Sequence, residues 1–218
     1  MTDIADPERA LVLAYAPADR RAALATLWRL DERLGDVLRA AHEPLIRAIR
    51  LAWWREALEA LDTATPPEEP LLIEVADTLL PLGIAGADLA ALEAGWAAFA
   101  DEESSEAALA HGAGRGRPLF TLAARVLGDD SMATIADAGE GWALVAAMPW
   151  LDEPARAAAA MRAGACLAPF AGRRWPKRLR ALGALTVLAR CDLAGAGPRR
   201  PGSPRRVARA LWLAISGR

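Results

Sequence analysis

The chain has 218 residues, 54% of them hydrophobic but only 6% aromatic, and a formal net charge of −2; this leaves room for one substantial core, supplied mostly by alanine and leucine. The acidic opening Met1-Thr2-Asp3-Ile4-Ala5-Asp6 does not read as a signal peptide, and no stretch reaches the ~18 uninterrupted apolar residues that a membrane span needs. The two cysteines, Cys166 and Cys191, sit near no metal-ligand cluster and fit the reduced thiols of a cytoplasmic protein.

Helical periodicity recurs almost everywhere, and no alternating run of β-branched residues is long enough for a sheet. Helices are predicted near 7–15, 18–41, 44–61, 68–80, 87–101, 105–111, 118–127, 132–147, 154–168, 176–192 and 204–216. Thr65-Pro66-Pro67 ends one helix, Pro81-Leu82-Gly83 another, and the Gly/Pro segments around 195–204 set the last one apart. No internal repeat and no second core are evident, so the expectation is a single all-α domain over 1–218.

The most informative stretch runs from Glu43 to Leu58, Glu-Pro-Leu-Ile-Arg-Ala-Ile-Arg-Leu-Ala-Trp-Trp-Arg-Glu-Ala-Leu. Pro44 suits the first helical position, and Glu43 places negative charge at the positive end of the helix dipole. At ~100° per residue, Leu45, Ile49, Trp53 and Ala60 form one apolar stripe and Leu51, Trp54 and Leu58 a second. Two stripes predict two packing partners, with both tryptophans in the core. Arg55 and Glu59 stand one turn apart between the stripes, a pair worth only about 0.3–0.5 kcal/mol on a wet surface.

This helix closely resembles the "EPL..IRL.WWREAL" helix of the squalene/phytoene synthase family. The likeness runs from Pro17-Ala18-Asp19-Arg20-Arg21-Ala22-Ala23-Leu24 through Leu61 and weakens afterwards. It returns at Arg205-Arg206-Val207-Ala208-Arg209-Ala210-Leu211-Trp212, which resembles the family's closing basic helix. The resemblance implies an isoprenoid-synthase-like helical bundle. It also implies a reaction in which two prenyl diphosphates are joined head to head by Mg²⁺ held on two aspartate-rich helices. Asp-x-x-x-Asp sets two carboxylates on one helix face, where Mg²⁺ bridges them to phosphate oxygens.

At the first motif the chain offers Asp31, beside the stripe Leu24, Leu27, Leu34 and Leu38, but Gly35 one turn later. Glu32 and Asp36 form an acidic pair that shares its face with Arg29, Arg33 and Arg39, which reads as a solvated face rather than a metal site. At the second motif Asp152 aligns with the first aspartate and Arg156 with the second, while Val145 and Met148 replace polar ligands. Asp152 and Arg156 are expected to neutralise each other. Metal and oxyanion contacts are often worth about 3–4 kcal/mol each in a transition state, so their loss predicts little prenyl transfer and no cofactor. The chain is shorter than family members usually are and lacks the tyrosine-leucine-proline segment that follows the second motif. It is nearer to the aspartate-poor branch similar to the mitochondrial complex I assembly factor.

The expected function is therefore a degenerate, non-catalytic protein that binds a lipid-like or prenyl ligand or serves the assembly of a respiratory complex. The competing expectation is an active Mg²⁺-dependent prenyl transferase with a rearranged site built from Asp31, Glu32, Asp36 and Asp152. Arg50, Trp53 and Trp54 are candidate ligand-binding residues on the signature helix. A further anion site is suggested where His111-Gly112-Ala113-Gly114-Arg115-Gly116-Arg117-Pro118 precedes a helix, although glycines between helices are ordinarily a bend. His42 and His111 read as surface or capping histidines.

Charge is uneven. From Arg173 to Arg218 there are twelve Lys/Arg and one acid, Asp192, a net of +11 against −13 for the remainder. Such an end can face an anionic membrane, a diphosphate, nucleic acid or the chain's own acidic helices. Nucleic acid is disfavoured because the rest of the chain is acidic and no binding module is visible. Arg205, Arg206 and Arg209 cluster on one side of the last helix, with Val207, Leu211, Trp212 and Ile215 on the other. That pattern suggests peripheral attachment at the inner membrane.

Overall fold

Among the described residues, proline stands in the first turn of half the α-helices, several of them preceded by an acidic residue. Asp6 accepts the amides of Glu8 and Arg9 ahead of α1 (Pro7–Leu13), and Pro44 opens α3 (Pro44–Ala60) after Glu43. Between them runs α2 (Arg21–Ala40), the longest helix. The computed structural model describes residues 4–40, 43–100, 104–195 and 201–218; His42 lies outside them. Among these residues the fold is all-α, with no strand.

The chain continues through α4 (Pro70–Thr78), a tight turn at Leu80–Leu82, and two short helices, α5 (Gly86–Ala90) and α6 (Glu93–Ala97). One helix was expected over 87–101; a turn at Ala91 and Leu92 divides it. Next come α7 (Ser105–His111) and α8 (Arg117–Val126), then α9 (Ile135–Ala147), α10 (Glu153–Leu167), α11 (Arg180–Ala194) and α12 (Pro204–Ser216).

Helix α9 is the axis of the bundle. It is buried almost all round, as its lack of a polar face requires, and it touches α7, α8, α10 and α11. Helix α2 packs against α3, α4, α6 and α8, and α12 lies on α11. Leu24, Leu27, Leu30, Leu34, Leu51, Leu58, Phe120 and Leu144 belong to one continuous core. No single described helix is long and apolar enough to cross a membrane.

The glycine run expected to be a bend is helical. Gly112–Gly116 forms one wide π turn that joins α7 to α8 without a break. Its glycines are required by close approach. A methyl at Gly112 would meet Leu144, one at Gly114 would come within 2.9 Å of the Gly95 backbone, and one at Gly116 within 2.2 Å of Gly139 O.

The signature helix α3 departs from expectation on one side. Leu51, Trp54 and Leu58 are buried, but Leu45 is 68% exposed, Ile49 57% and Trp53 46%. Among the described residues only the Leu51, Trp54 and Leu58 stripe is buried. Arg55 also pairs with Glu56, at 4.0 Å, instead of Glu59.

Candidate functional site

Asp31 is the centre of a buried charged cluster. Its place beside the core stripe of α2 carries it inside, where it is fully buried. Arg115 reaches it from the π turn with a two-pronged contact, Nε to Oδ1 and Nη2 to Oδ2, both 2.8 Å. Arg9 of α1 donates to Oδ2, and Trp96 of α6 donates through Nε1 to Oδ1 at 3.0 Å. Burial alone would raise the Asp31 carboxyl, but Arg115 and Arg9 overrule it and hold the group well below the usual carboxylate range.

Tryptophans complete the enclosure. The Arg9 guanidinium lies 5.2 Å from the Trp28 ring centroid and 4.8 Å from that of Trp142; Arg115 lies 4.3 Å from Trp96 and 4.8 Å from Trp142. His111, expected at the surface, is buried one turn before Arg115. Its Nδ1 donates to Gly95 O at 2.7 Å, so Nε2 is left to accept from Arg115 Nη1 at 3.3 Å. Burial, and then the charge on Arg115, push the imidazole down to about 3, so it is neutral at ordinary pH.

This arrangement does not fit Mg²⁺. Both Asp31 oxygens are taken up by guanidinium and indole donors, and two arginines already neutralise its charge. The position one turn later, where the resemblance calls for a second carboxylate, is filled by Trp96: a methyl on Gly35 would come within 2.7 Å of its ring. Glu32 instead accepts the amides of Ala5 and Asp6, at 3.0 and 3.2 Å. Asp36 is exposed and pairs with Arg39 at 2.6 Å.

Asp152 sits elsewhere again. It caps α10, accepting the Ala155 amide at 2.9 Å, and it does not neutralise Arg156, which pairs with Glu153 at 3.0 Å and donates to the Leu151 carbonyl. The reason is local: a tight turn at Met148–Trp150 ends α9, so Asp152 falls at a helix start. The four carboxylates of the rearranged site therefore do not meet. Among the described residues no group of three or more His, Cys, Asp or Glu side chains is placed to hold a metal ion.

The proposed anion site at 111–118 also changes character. There is no free helix N-terminus, because the backbone is helical throughout. Arg115 is spent on Asp31, and Arg117 donates to Asp137 at 2.7 Å and to Glu140 at 2.8 Å. Glu140 also accepts from Arg162 at 2.6 Å. Of the signature residues, Trp54 faces the core beneath Arg33, while Arg50 and Trp53 face outward, so the three form no shared site. Cys166 is buried, and its thiol is pushed up to about 11 by that burial, the wrong direction for a nucleophile.

An open-sided cavity of about 340 Å³ adjoins the Asp31 cluster. It is lined by Leu38, Arg39, Arg47, Trp96, Phe99 and Trp150. Trp96 thus serves twice: its N–H holds Asp31, and its ring forms a wall of the cavity.

Next to Arg9 in the first turn of α1, Glu8 joins Arg206 and Asp192 in a second buried ion cluster. Arg206 donates to both oxygens of Glu8 and both of Asp192. It therefore points inward and does not share the exposed face of Arg205 and Arg209. Arg9, Glu8, Trp96 and Glu140 were not singled out in the sequence. A usable signal existed for two of them: Glu8 and Arg9 stand four and three residues before the core-facing Val12 and so share its face.

No known family model, no curated protein and no solved structure matches this chain.

Proposed function

We propose that the chain is a non-catalytic protein of squalene/phytoene synthase type that works by binding, as an assembly protein for a respiratory complex. The observation that carries this reading is the Asp31 cluster. The one acid available at the first motif is committed to Arg9, Arg115 and Trp96, and the neighbouring position has no room for a second acid. The outer stripe of α3 supports a partner surface. Leaving Leu45, Ile49 and Trp53 in water forgoes roughly 1.5–3 kcal/mol per side chain that burial would supply, so a complementary apolar surface is worth more here than any exposed ion pair.

The 340 Å³ cavity favours a second, compatible reading in which a lipid-like or prenyl molecule is held, its chain against Trp96, Phe99 and Trp150 and its anionic end towards Arg39 and Arg47. The decisive experiment is incubation with farnesyl or geranylgeranyl diphosphate and Mg²⁺, alongside deletion of the gene. The expected result is no coupled product, unchanged isoprenoid content and reduced NADH:quinone oxidoreductase activity, restored by the wild-type gene but not by an Ile49→Ser/Trp53→Ser variant. Coupled product formation overturns the proposal.

A further inference from the structure

We infer that α12 is an in-plane anchor that docks the protein on an anionic lipid surface, with Leu211, Trp212 and Ile215 entering the apolar layer and Arg205 and Arg209 meeting lipid phosphates. The inference is independent of the non-catalytic reading, because a prenyl transferase would dock in the same way.

The helix is two-sided. Ala210 and Leu213 are buried against the bundle, whereas Leu211 is 47% exposed, Trp212 65% and Ile215 68%. With Ala208 these three form one apolar face in water, and Arg205 and Arg209 border it. No acid occurs anywhere in Pro204–Ser216. The carboxylates that do reach the helix, Glu8 and Asp192, converge on Arg206. The charge presented outward is therefore purely positive, and it lies within a segment of net charge +11.

Held in this way, the helix cannot turn its apolar face back into the bundle. The Arg206 clamp fixes its first turn. At its end Arg180 donates to the carbonyls of Ala214 and Ile215, at 2.6 and 3.0 Å, and Trp175 N donates to Gly217 O at 2.7 Å. Beside it a groove of about 790 Å³ opens between α11 and α12, lined by Arg190, Arg205, Arg209 and Trp212 among others. A headgroup phosphate entering that groove meets three guanidinium groups while the adjoining acyl region meets Trp212. Aromatic and aliphatic side chains flanked by arginine are the composition of helices that lie in a membrane interface. A discrete acidic protein would match the arginines but gives no reason for the exposed apolar face of Leu211, Trp212 and Ile215.

The test is flotation of the full chain with vesicles of phosphatidylcholine alone and of phosphatidylcholine mixed with phosphatidylglycerol. Binding is expected only to the mixed vesicles and should fall with added salt. Arg205→Gln/Arg209→Gln should weaken it about 30-fold, and Trp212→Ser/Ile215→Ser at least about tenfold. All four positions are exposed, so the melting temperature should not move and a lost interaction cannot be mistaken for unfolding. Absence of vesicle binding, equal binding to both vesicle types, or binding untouched by either double substitution overturns the inference. So does finding that these arginines serve only to hold an acidic protein.

Discussion

Two ion clusters that share helix α1 are mirror images in charge. In one, an acid lies between two bases, Arg9–Asp31–Arg115; in the other, a base lies between two acids, Glu8–Arg206–Asp192. The neighbours Glu8 and Arg9 of α1 supply one member to each, so this short helix ties α2 and the π turn to α11 and α12. The difference is solvation. Side chains of the first cluster are 0–7% exposed, and those of the second 3–14%. A charge stranded in the drier cluster has less water to turn to, so the two clusters should respond unequally to the same kind of damage.

The largest effect should come from removing the central charge of the drier cluster. Asp31→Asn leaves two buried guanidinium groups facing each other and should cost about 3–5 kcal/mol in chemical denaturation. Arg206→Met, which removes the cation shared by Glu8 and Asp192 in the wetter cluster, should cost clearly less. Equal losses would refute the contrast. Arg115→Met should also cost less than Asp31→Asn, because Arg9 and Asp31 remain as a neutral pair.

Next in size is Gly35→Asp, which places a second acid one turn after Asp31 in α2. The new side chain must displace Trp96 and with it one donor to Asp31, for a loss of about 2–3 kcal/mol typical of overpacking. Adding Mg²⁺ should not recover the lost melting temperature.

Near neutral pH the smallest effect, and the most specific, is on pH dependence. His111 is held near 3 in the folded chain against an ordinary value of 6.5. Between those values the unfolded chain takes up a proton that the folded chain refuses, so stability falls as pH drops from about 6.5, by up to about 1.4 kcal/mol per unit. Asp31, whose carboxyl is depressed, acts in a separate window: its contribution is complete above its ordinary value of 3.8 and is lost only below it. His111→Gln should therefore flatten melting temperature against pH in the upper window and leave the lower one unchanged.

How legible this molecule was in its sequence depended on the range of the interaction concerned. Helix starts are local, and Pro44, Pro204 and the break at Pro149 could all be read directly. Periodicity reported the stripes of α3 and α12 but not which of them is covered, since that depends on partners far along the chain. Hence Trp53 lies outside and Arg206 inside. The glycines of 112–116 were ambiguous for a physical reason: absence of a side chain serves a bend and a close helix contact equally well. Reading that run as a bend hid the one-turn spacing of His111 and Arg115. The Asp31 cluster joins residues 22, 65 and 84 positions apart, and no local pattern announces such a meeting.

The notch at Gly35, plugged by the ring of Trp96, has a consequence for how this protein can change. Any lineage that installs a carboxylate there must also shrink the indole, and doing so strips a donor from Asp31 and opens the wall of the neighbouring cavity. Either substitution made first carries its own cost in stability. Sequence drift on this scaffold is therefore channelled away from a second carboxylate beside Asp31 by steric interlock.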